Sequence, residues 1–170
     1  APLSTSILVV KDNQDLYNSF NSKANYLYQT HGNEFNLGQT SFECGRRNNA
    51  LKFWTMWKSI GLKGIANIVE EQFKIADAAR KHILSNQDYT LYSFDDSLSI
   101  CFNYKNYDPE DLCTKLFEMN SLMVGFGTFK NNKFIRLVIV NGENSLEDVI
   151  SFFGILERFA EQHQEHIKKI

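Results

Sequence analysis

The stretch that decides the fold is CGRRNNALKFWTMWKSIGLKG, residues 44–64, because a helical pattern begins within it and then breaks. After Asn48, large apolar residues recur at helical spacing from Leu51 to Ile60. Gly61 and Gly64 then predict a break. A second helix follows, with apolar residues on one side. We expect its other side to face solvent, because most of its charged residues should lie there. These residues are Glu70, Glu71, Lys74, Asp77, Arg80 and Lys81.

Downstream of this helix the sequence alternates between strands and helices. Residues 89–93 and 98–104 are rich in β-branched and aromatic residues and predict two strands around a turn at Asp95 and Asp96. Residues 122–129 and 133–140 flank asparagines that tolerate positive φ and therefore predict an antiparallel hairpin. The second half is predicted to be an α+β domain.

Two helices in this half carry clear start signals. Asp108 precedes a proline and an acidic first turn, so it predicts a helix whose inward residues are Leu112, Leu116 and Met119. Ser145 with Asp148 predicts a capping box at the start of the last helix.

Upstream of residue 44 the sequence is less regular. Residues 7–10, Ile-Leu-Val-Val, form a continuous apolar run and predict a strand buried on both faces. Residues 14–20 predict a short helix capped by Asp12 or Asn13, and residues 21–44 predict a long, mobile loop. A strand buried on both faces needs neighbours that the sequence offers only much later, so we expect the chain to be a piece that lacks its first half.

Composition narrows the class of protein. The 170 residues are 43% hydrophobic, enough for a substantial core, and 18 basic against 20 acidic residues give a net charge of −2. This balance argues against nucleic acid or an anionic membrane as the partner. Three cysteines without metal-binding spacing indicate a reducing, cytoplasmic compartment. The sequence contains no apolar run of 18 residues, so it predicts no membrane-spanning helix.

Arg136 is the most informative single residue, since it lies in a predicted strand that otherwise resembles core. Phe134 and Val138 should share its face. It could be an edge-strand arginine that snorkels or pairs with a neighbouring carboxylate. It could also be a clamp for a carboxylate ligand, because the guanidinium is a rigid donor fork. Other apparent motifs, Gly125-Phe126-Gly127 and His163 with His166, are interpreted as structural.

Several motifs in order carry a family resemblance over nearly the whole chain. Residues 44–61 resemble the C-G-R-x-x-D-x-x-K-x-W-x-M-W-K-x-x-G stretch of pyridoxal-phosphate-dependent decarboxylases, in the branch containing glutamate and cysteine sulfinate decarboxylases. Further matches to that family are PLSTSIL at 2–8, YLYQ at 26–29, MVGF at 123–126 and FIRLVIVN at 134–141.

The resemblance implies an α/β fold of the aspartate aminotransferase superfamily, fold type I. Residues 1–57 would be the end of the large pyridoxal-phosphate-binding domain, with the catalytic loop at about 21–44. Residues 58–170 would be a bridging helix and the α+β small C-terminal domain. By the same resemblance the Schiff-base lysine would precede Ala1, so activity would require the missing N-terminal half of the subunit, in a homodimer.

The resemblance also implies roles for three residues. Arg136 matches the arginine that holds the substrate α-carboxylate, and Tyr26 matches a loop tyrosine that returns a proton to the substrate carbon after CO₂ leaves. Gly45 matches a position where a neighbouring subunit's backbone N–H approaches the cofactor phosphate. The implied reaction is decarboxylation of a small acidic amino acid such as glutamate, aspartate or cysteine sulfinate. The alternative is a non-catalytic dimerisation or regulatory module that keeps the fold.

Overall fold

A computed structural model describes residues 5–20 and 47–170. The chain divides into two compact units, residues 1–62 and 63–170. Within the described residues there are four helices and four strands, in the order α1 (Asn13–Phe20), α2 (Asn49–Ser85), β1 (Tyr89–Leu91), β2 (Ser99–Tyr104), α3 (Pro109–Glu118), β3 (Gly125–Phe129), β4 (Asn132–Val138) and α4 (Leu146–Gln162). In these two ranges, no helix has the length and apolar character needed to cross a membrane.

The first unit contains two helix starts that the sequence predicts. The carboxylate of Asp12 accepts a hydrogen bond from the backbone N–H of Gln14 at 2.9 Å, beside the start of α1. The side-chain oxygen of Asn48 accepts from the backbone N–H of Leu51 at 3.1 Å, at the start of α2. Both contacts satisfy backbone donors that the first helical turn leaves without partners.

The predicted strand at residues 7–10 is wrong. The segment has no strand structure, and Leu8 and Val9 are 70% and 84% exposed. An apolar run becomes a buried strand only when other strands pair with its backbone, and none of the strands in the described ranges pairs with this segment.

The helix α2 is broken where the sequence predicts a break. Gly61 has φ 74° and ψ 168°, values outside the helical region, and the two helical stretches meet there. A positive φ of this size favours glycine because other residues have a Cβ that clashes. Gly64 stays within the helix, so one glycine makes the break.

The second unit is built on an antiparallel sheet with strand order β1-β2-β4-β3. The predicted hairpin is confirmed as β3 and β4, joined where Lys130 and Asn131 have φ of 47° and 68°. Two successive left-handed residues match the twist of a tight antiparallel hairpin, which explains the preference for asparagine there. The central strands are therefore β2 and β4, each with a partner on both sides.

The hydrophobic core lies on one face of this sheet. Ile100 and Phe102 of β2 and Ile135 of β4 are almost completely buried. They share a core cluster with residues of α2, α3 and α4, and the ring of Phe102 lies 5.8 Å from that of Phe153. Because strand side chains alternate between faces, Cys101 and Arg136 must lie on the opposite face.

The two predicted helix caps of this unit are confirmed. Asp108 accepts hydrogen bonds from the backbone N–H groups of Glu110 and Asp111, and Ser145 and Asp148 form a reciprocal capping box. The inward placement of Met119 is wrong: α3 ends at Glu118, so Met119 leaves the helical spacing and is exposed.

The solvated side predicted for α2 needs one correction. Arg80 is only 4% exposed. Its guanidinium donates to the backbone oxygen of Ser97 at 2.6 Å and to the carboxylate of Asp77 at 2.8 Å. These partners replace water around the buried charge, which is why an arginine is accommodated there.

Candidate functional site

A cavity of about 760 Å³ lies in the second unit and includes Arg136 in its lining. Its residues come from the open face of the central strands, from the β3–β4 hairpin and from the segment between β1 and β2. The lining is Tyr92, Ser93, Phe94, Ser97, Ser99, Cys101, Phe126, Gly127, Thr128, Phe129, Lys130, Asn132, Phe134 and Arg136. A concave site with aromatic walls and a few polar groups is typical of small-molecule binding.

Arg136 lies in the middle of the sheet. It is opposite Cys101 on β2 and opposite Gly125 on β3. The edge-strand interpretation is therefore wrong, because β4 pairs on both sides. The face that Arg136 shares with Phe134 and Val138 is also not core, since Arg136 is exposed.

Small neighbours leave the guanidinium accessible. Gly125 has no side chain, and a Cβ placed there would come within 4.0 Å of the Arg136 Nε atom. Among the described residues, no carboxylate lies within ion-pair distance of Arg136. The pairing with a neighbouring carboxylate that the sequence left open is thus not observed in this part of the chain. The donor fork is available to an external anion.

The cavity has a positive electrostatic character. Its charged lining residues are Lys130 and Arg136, and none of the described residues lining it is acidic. Burial raises the pKa of the Cys101 thiol, and the nearby charge of Arg136 opposes this increase without cancelling it. Cys101 is therefore a neutral thiol at neutral pH, and it does not compete with a ligand for the guanidinium.

Glycine in the β3 strand has a packing role. A Cβ at Gly127 would lie 3.0 Å from the ring of Phe134, so a larger residue there would force this ring to shift. This contact agrees with the structural interpretation of the Gly125-Phe126-Gly127 motif.

One of the two histidines at the end of α4, His163, also has structural surroundings. His163 caps the helix, its ring nitrogen lies 2.9 Å from the backbone oxygen of Phe159, and the two rings stack. Across the described ranges no cluster of three or more potential metal ligands occurs.

Of the three residues assigned from the resemblance, the structure describes Arg136 alone. Tyr26, Gly45 and the predicted loop at 21–44 lie outside the described residues. The site therefore consists, in the described ranges, of one accessible guanidinium in an aromatic cavity.

Arg80 is the residue that sequence patterns missed. Its contact with Ser97 connects α2 to the cavity lining. Helical spacing gave a weak signal for it, because Ala76, Ala79 and Ile83 lie within one turn of Arg80 and are all buried.

Comparison with solved structures first defines the class. The crystal structure of mouse CSAD superposes with a TM-score of 0.72 at 19% identity, covering 86% of this chain and 34% of that chain. The expected fold, α/β and fold type I, is thereby confirmed.

The family follows from sequence. A family model described as the pyridoxal-dependent decarboxylase conserved domain matches residues 1–105, so this chain belongs to the pyridoxal-dependent decarboxylase family. It is 27% identical over 171 residues to acidic amino acid decarboxylase GADL1 of Mus musculus, covering 88% of this chain and 31% of that relative. It is 25% identical over 185 residues to cysteine sulfinic acid decarboxylase of Homo sapiens, covering 95% and 37%. The chain thus spans about a third of the length of these relatives.

The described cavity does not by itself fit the cofactor of this family. Pyridoxal phosphate is held through a lysine and a partner for its ring nitrogen, commonly an acid. The lining lysine, Lys130, lies in a hairpin turn with its ammonium 5.4 Å from the Phe129 ring centroid, and no acidic residue accompanies it. The described residues thus provide an anion site, and no step through the cofactor is derived from them.

Proposed function

We propose that this chain is part of a pyridoxal-phosphate-dependent decarboxylase that removes the α-carboxylate of a small acidic amino acid as CO₂. The observation that carries the proposal is the accessible Arg136 guanidinium, which lacks an acidic partner among the described residues and lies in a positively charged cavity. An arginine in this setting binds a carboxylate through two parallel hydrogen bonds. Glutamate, aspartate and cysteine sulfinate are the proposed substrates, in line with the names of the two relatives.

In this proposal the chain's own residues bind and orient the substrate, and a bound cofactor would supply stabilisation of the negative charge left when CO₂ departs. Arg136 holds the α-carboxylate, which fixes the orientation of the bond to be broken. By the family resemblance, Tyr26 would donate a proton to the substrate carbon, and the backbone at Gly45 would approach the cofactor phosphate. The lysine that carries the cofactor would come from the N-terminal half of the subunit.

The assembly and the compartment are also part of the proposal. We propose a homodimer, following the family resemblance, and a cytoplasmic location, supported by the free thiols of Cys101 and Cys113.

The second candidate is a non-catalytic dimerisation or regulatory module that keeps the family fold. The observation in its favour is that the described cavity offers an anion site without a cofactor site. Denaturing mass spectrometry of the purified protein separates the two candidates. A longer parent chain, or a second polypeptide with a cofactor-linked lysine, supports the enzyme, whereas these 170 residues alone indicate a fragment or the non-catalytic module.

The decisive test of Arg136 is the substitution Arg136→Lys in the purified protein that contains this chain. Lysine keeps the charge but replaces the donor fork with a point charge. We expect CO₂ release from the three acidic amino acids to show a KM raised by about tenfold or more, the value of a hydrogen bond to a charged group. The control is Arg158→Lys, on the exposed side of α4 outside this cavity. Unchanged kcat and KM for Arg136→Lys would refute the carboxylate clamp.

A further inference from the structure

The buried arginine of α2 contacts the segment that forms one wall of the cavity. The Arg80 side chain is 5% exposed, and its Nη1 group donates to the backbone oxygen of Ser97 at 2.6 Å. Its Nη2 group donates to Asp77, which is largely exposed. One buried cation therefore joins a helix to the backbone of residues 92–98, here called the wall segment.

The other hydrogen bonds of the wall segment lie at its two ends, and Leu98 packs against the hydrophobic core. At its start, the backbone N–H groups of Tyr92 and Ser93 both donate to the Cys101 oxygen. At its end, the Leu98 oxygen accepts from Ile139, and the Ser97 hydroxyl bonds to the backbone of Ser99. At this same end, the Ser97 carbonyl accepts from Arg80, and this is the hydrogen bond from a helix side chain that the described residues show for the wall segment.

Ser97 belongs both to the wall segment and to the lining of the cavity. Ser97 lines the cavity together with Tyr92, Ser93 and Phe94, and Arg136 lies in the same lining. Because Arg80 donates to the Ser97 carbonyl from the helix side, this hydrogen bond restrains the wall segment at Ser97. A buried charge is costly unless it is paired, and an apolar side chain of similar size often stabilises a core equally well. Stability alone thus gives no reason for an arginine here.

We propose that Arg80 is a positioning residue that sets the wall of the Arg136 cavity and thereby the affinity for the carboxylate substrate. The part that concerns substrate rests on the proposed function. Arg80 acts through Ser97 and touches no substrate itself.

The test uses Arg80→Met in the purified protein that contains this chain. Methionine keeps much of the apolar stem but cannot donate to Ser97. Hydrogen exchange followed by mass spectrometry compares a peptide covering the wall segment with one covering α3. We expect exchange in the wall segment to accelerate by about tenfold or more, as for the loss of a charge-assisted hydrogen bond, with α3 unchanged. We also expect KM for cysteine sulfinate to rise severalfold while kcat stays within about twofold.

Two further variants keep the test decisive. Arg80→Lys retains one donor group. It should keep part of the wild-type protection of the wall segment and give a KM between those of wild type and Arg80→Met. This variant tests the proposal even when Arg80→Met folds poorly. Arg158→Met removes an arginine that bonds within its own helix and should leave both measurements unchanged.

The outcomes separate the two levels of the proposal. Unchanged exchange in the wall segment of Arg80→Met overturns the role of Arg80, whatever the enzyme does. Faster exchange with equal losses in the wall and α3 overturns it as well, because that result describes general destabilisation. Absence of CO₂ release by the wild-type protein overturns the proposed function and the substrate part of this inference, while the exchange data still decide the positioning of the wall.

Discussion

Replacing Cys101 with aspartate should weaken anion binding at Arg136, because the new carboxylate would compete for the guanidinium. Cys101 lies directly opposite Arg136 in the register of β2 and β4. The Cys101 oxygen accepts from Tyr92, on the β1 side, so Cys101 and Arg136 form a pair without mutual backbone hydrogen bonds. In such pairs the Cα atoms are about 4.5 Å apart and the side chains are at their closest. An aspartate at 101 would therefore place a carboxylate against the guanidinium that we assign to the substrate.

The size of the effect follows from the exposure of the pair. Arg136 is exposed and Cys101 is half-buried, so solvent screens the new ion pair to about 1 kcal/mol or less. An energy of ~1 kcal/mol corresponds to roughly five molecules with the guanidinium engaged for each one with it free. Ligand affinity falls with the free fraction, so KM for an acidic amino acid should rise by up to about sixfold.

The assay compares Cys101→Asp with Cys101→Asn, a side chain of equal size without the charge. We expect the asparagine variant to stay within about twofold of wild type, and 1 M salt to shrink the difference between the variants because it screens the pair. An equal rise of KM in both variants would refute the reasoning, since it would assign the effect to the shape of residue 101.

Three further outcomes are expected. Tyr26→Phe should lower turnover by about 100-fold or more if its hydroxyl donates the proton, measured as CO₂ release, and a wild-type rate would remove Tyr26 from the chemistry. Ser145→Ala should cost about 1 kcal/mol in urea unfolding, because the capping box loses its acceptor. The ammonium of Lys133 holds the pKa of Asp108 below its ordinary value of 3.8. Stability from this pair is therefore complete above about pH 5 and is lost as pH falls through the lowered pKa. Urea unfolding at several pH values should show this loss, and Lys133→Met should reduce it.

Local signals in the sequence predicted local structure well. The positive φ of Asn131, the cap at Asp108 and the break at Gly61 each depend on a few neighbouring residues, and each occurs where the sequence indicates it. The family resemblance also depends on short motifs, and the match over residues 1–105 confirms it.

Features that depend on distant residues could not be predicted in this way. Alternation placed Arg136 and Phe134 on one face, but whether helices cover that face depends on the tertiary packing. The strand predicted at residues 7–10 failed for the same reason, since a strand requires partners. Arg80 was predicted to face solvent because it is charged, although its neighbours on the helix are apolar. The sequence pattern could not reveal its partner Ser97, which is 17 residues away.

The strand order has a consequence for the speed of folding. The β3–β4 hairpin and the β1–β2 pair close over short connections, which takes microseconds for isolated hairpins. Joining them requires β2 to meet β4, for example Phe102 with Ile135, across the intervening helix α3. Loop closure over that distance must precede any gain from pairing, so this encounter should limit the folding rate. Shortening the side chain of Ile135 should accordingly slow folding. Substitutions at the tip of the β3–β4 hairpin should mainly speed unfolding.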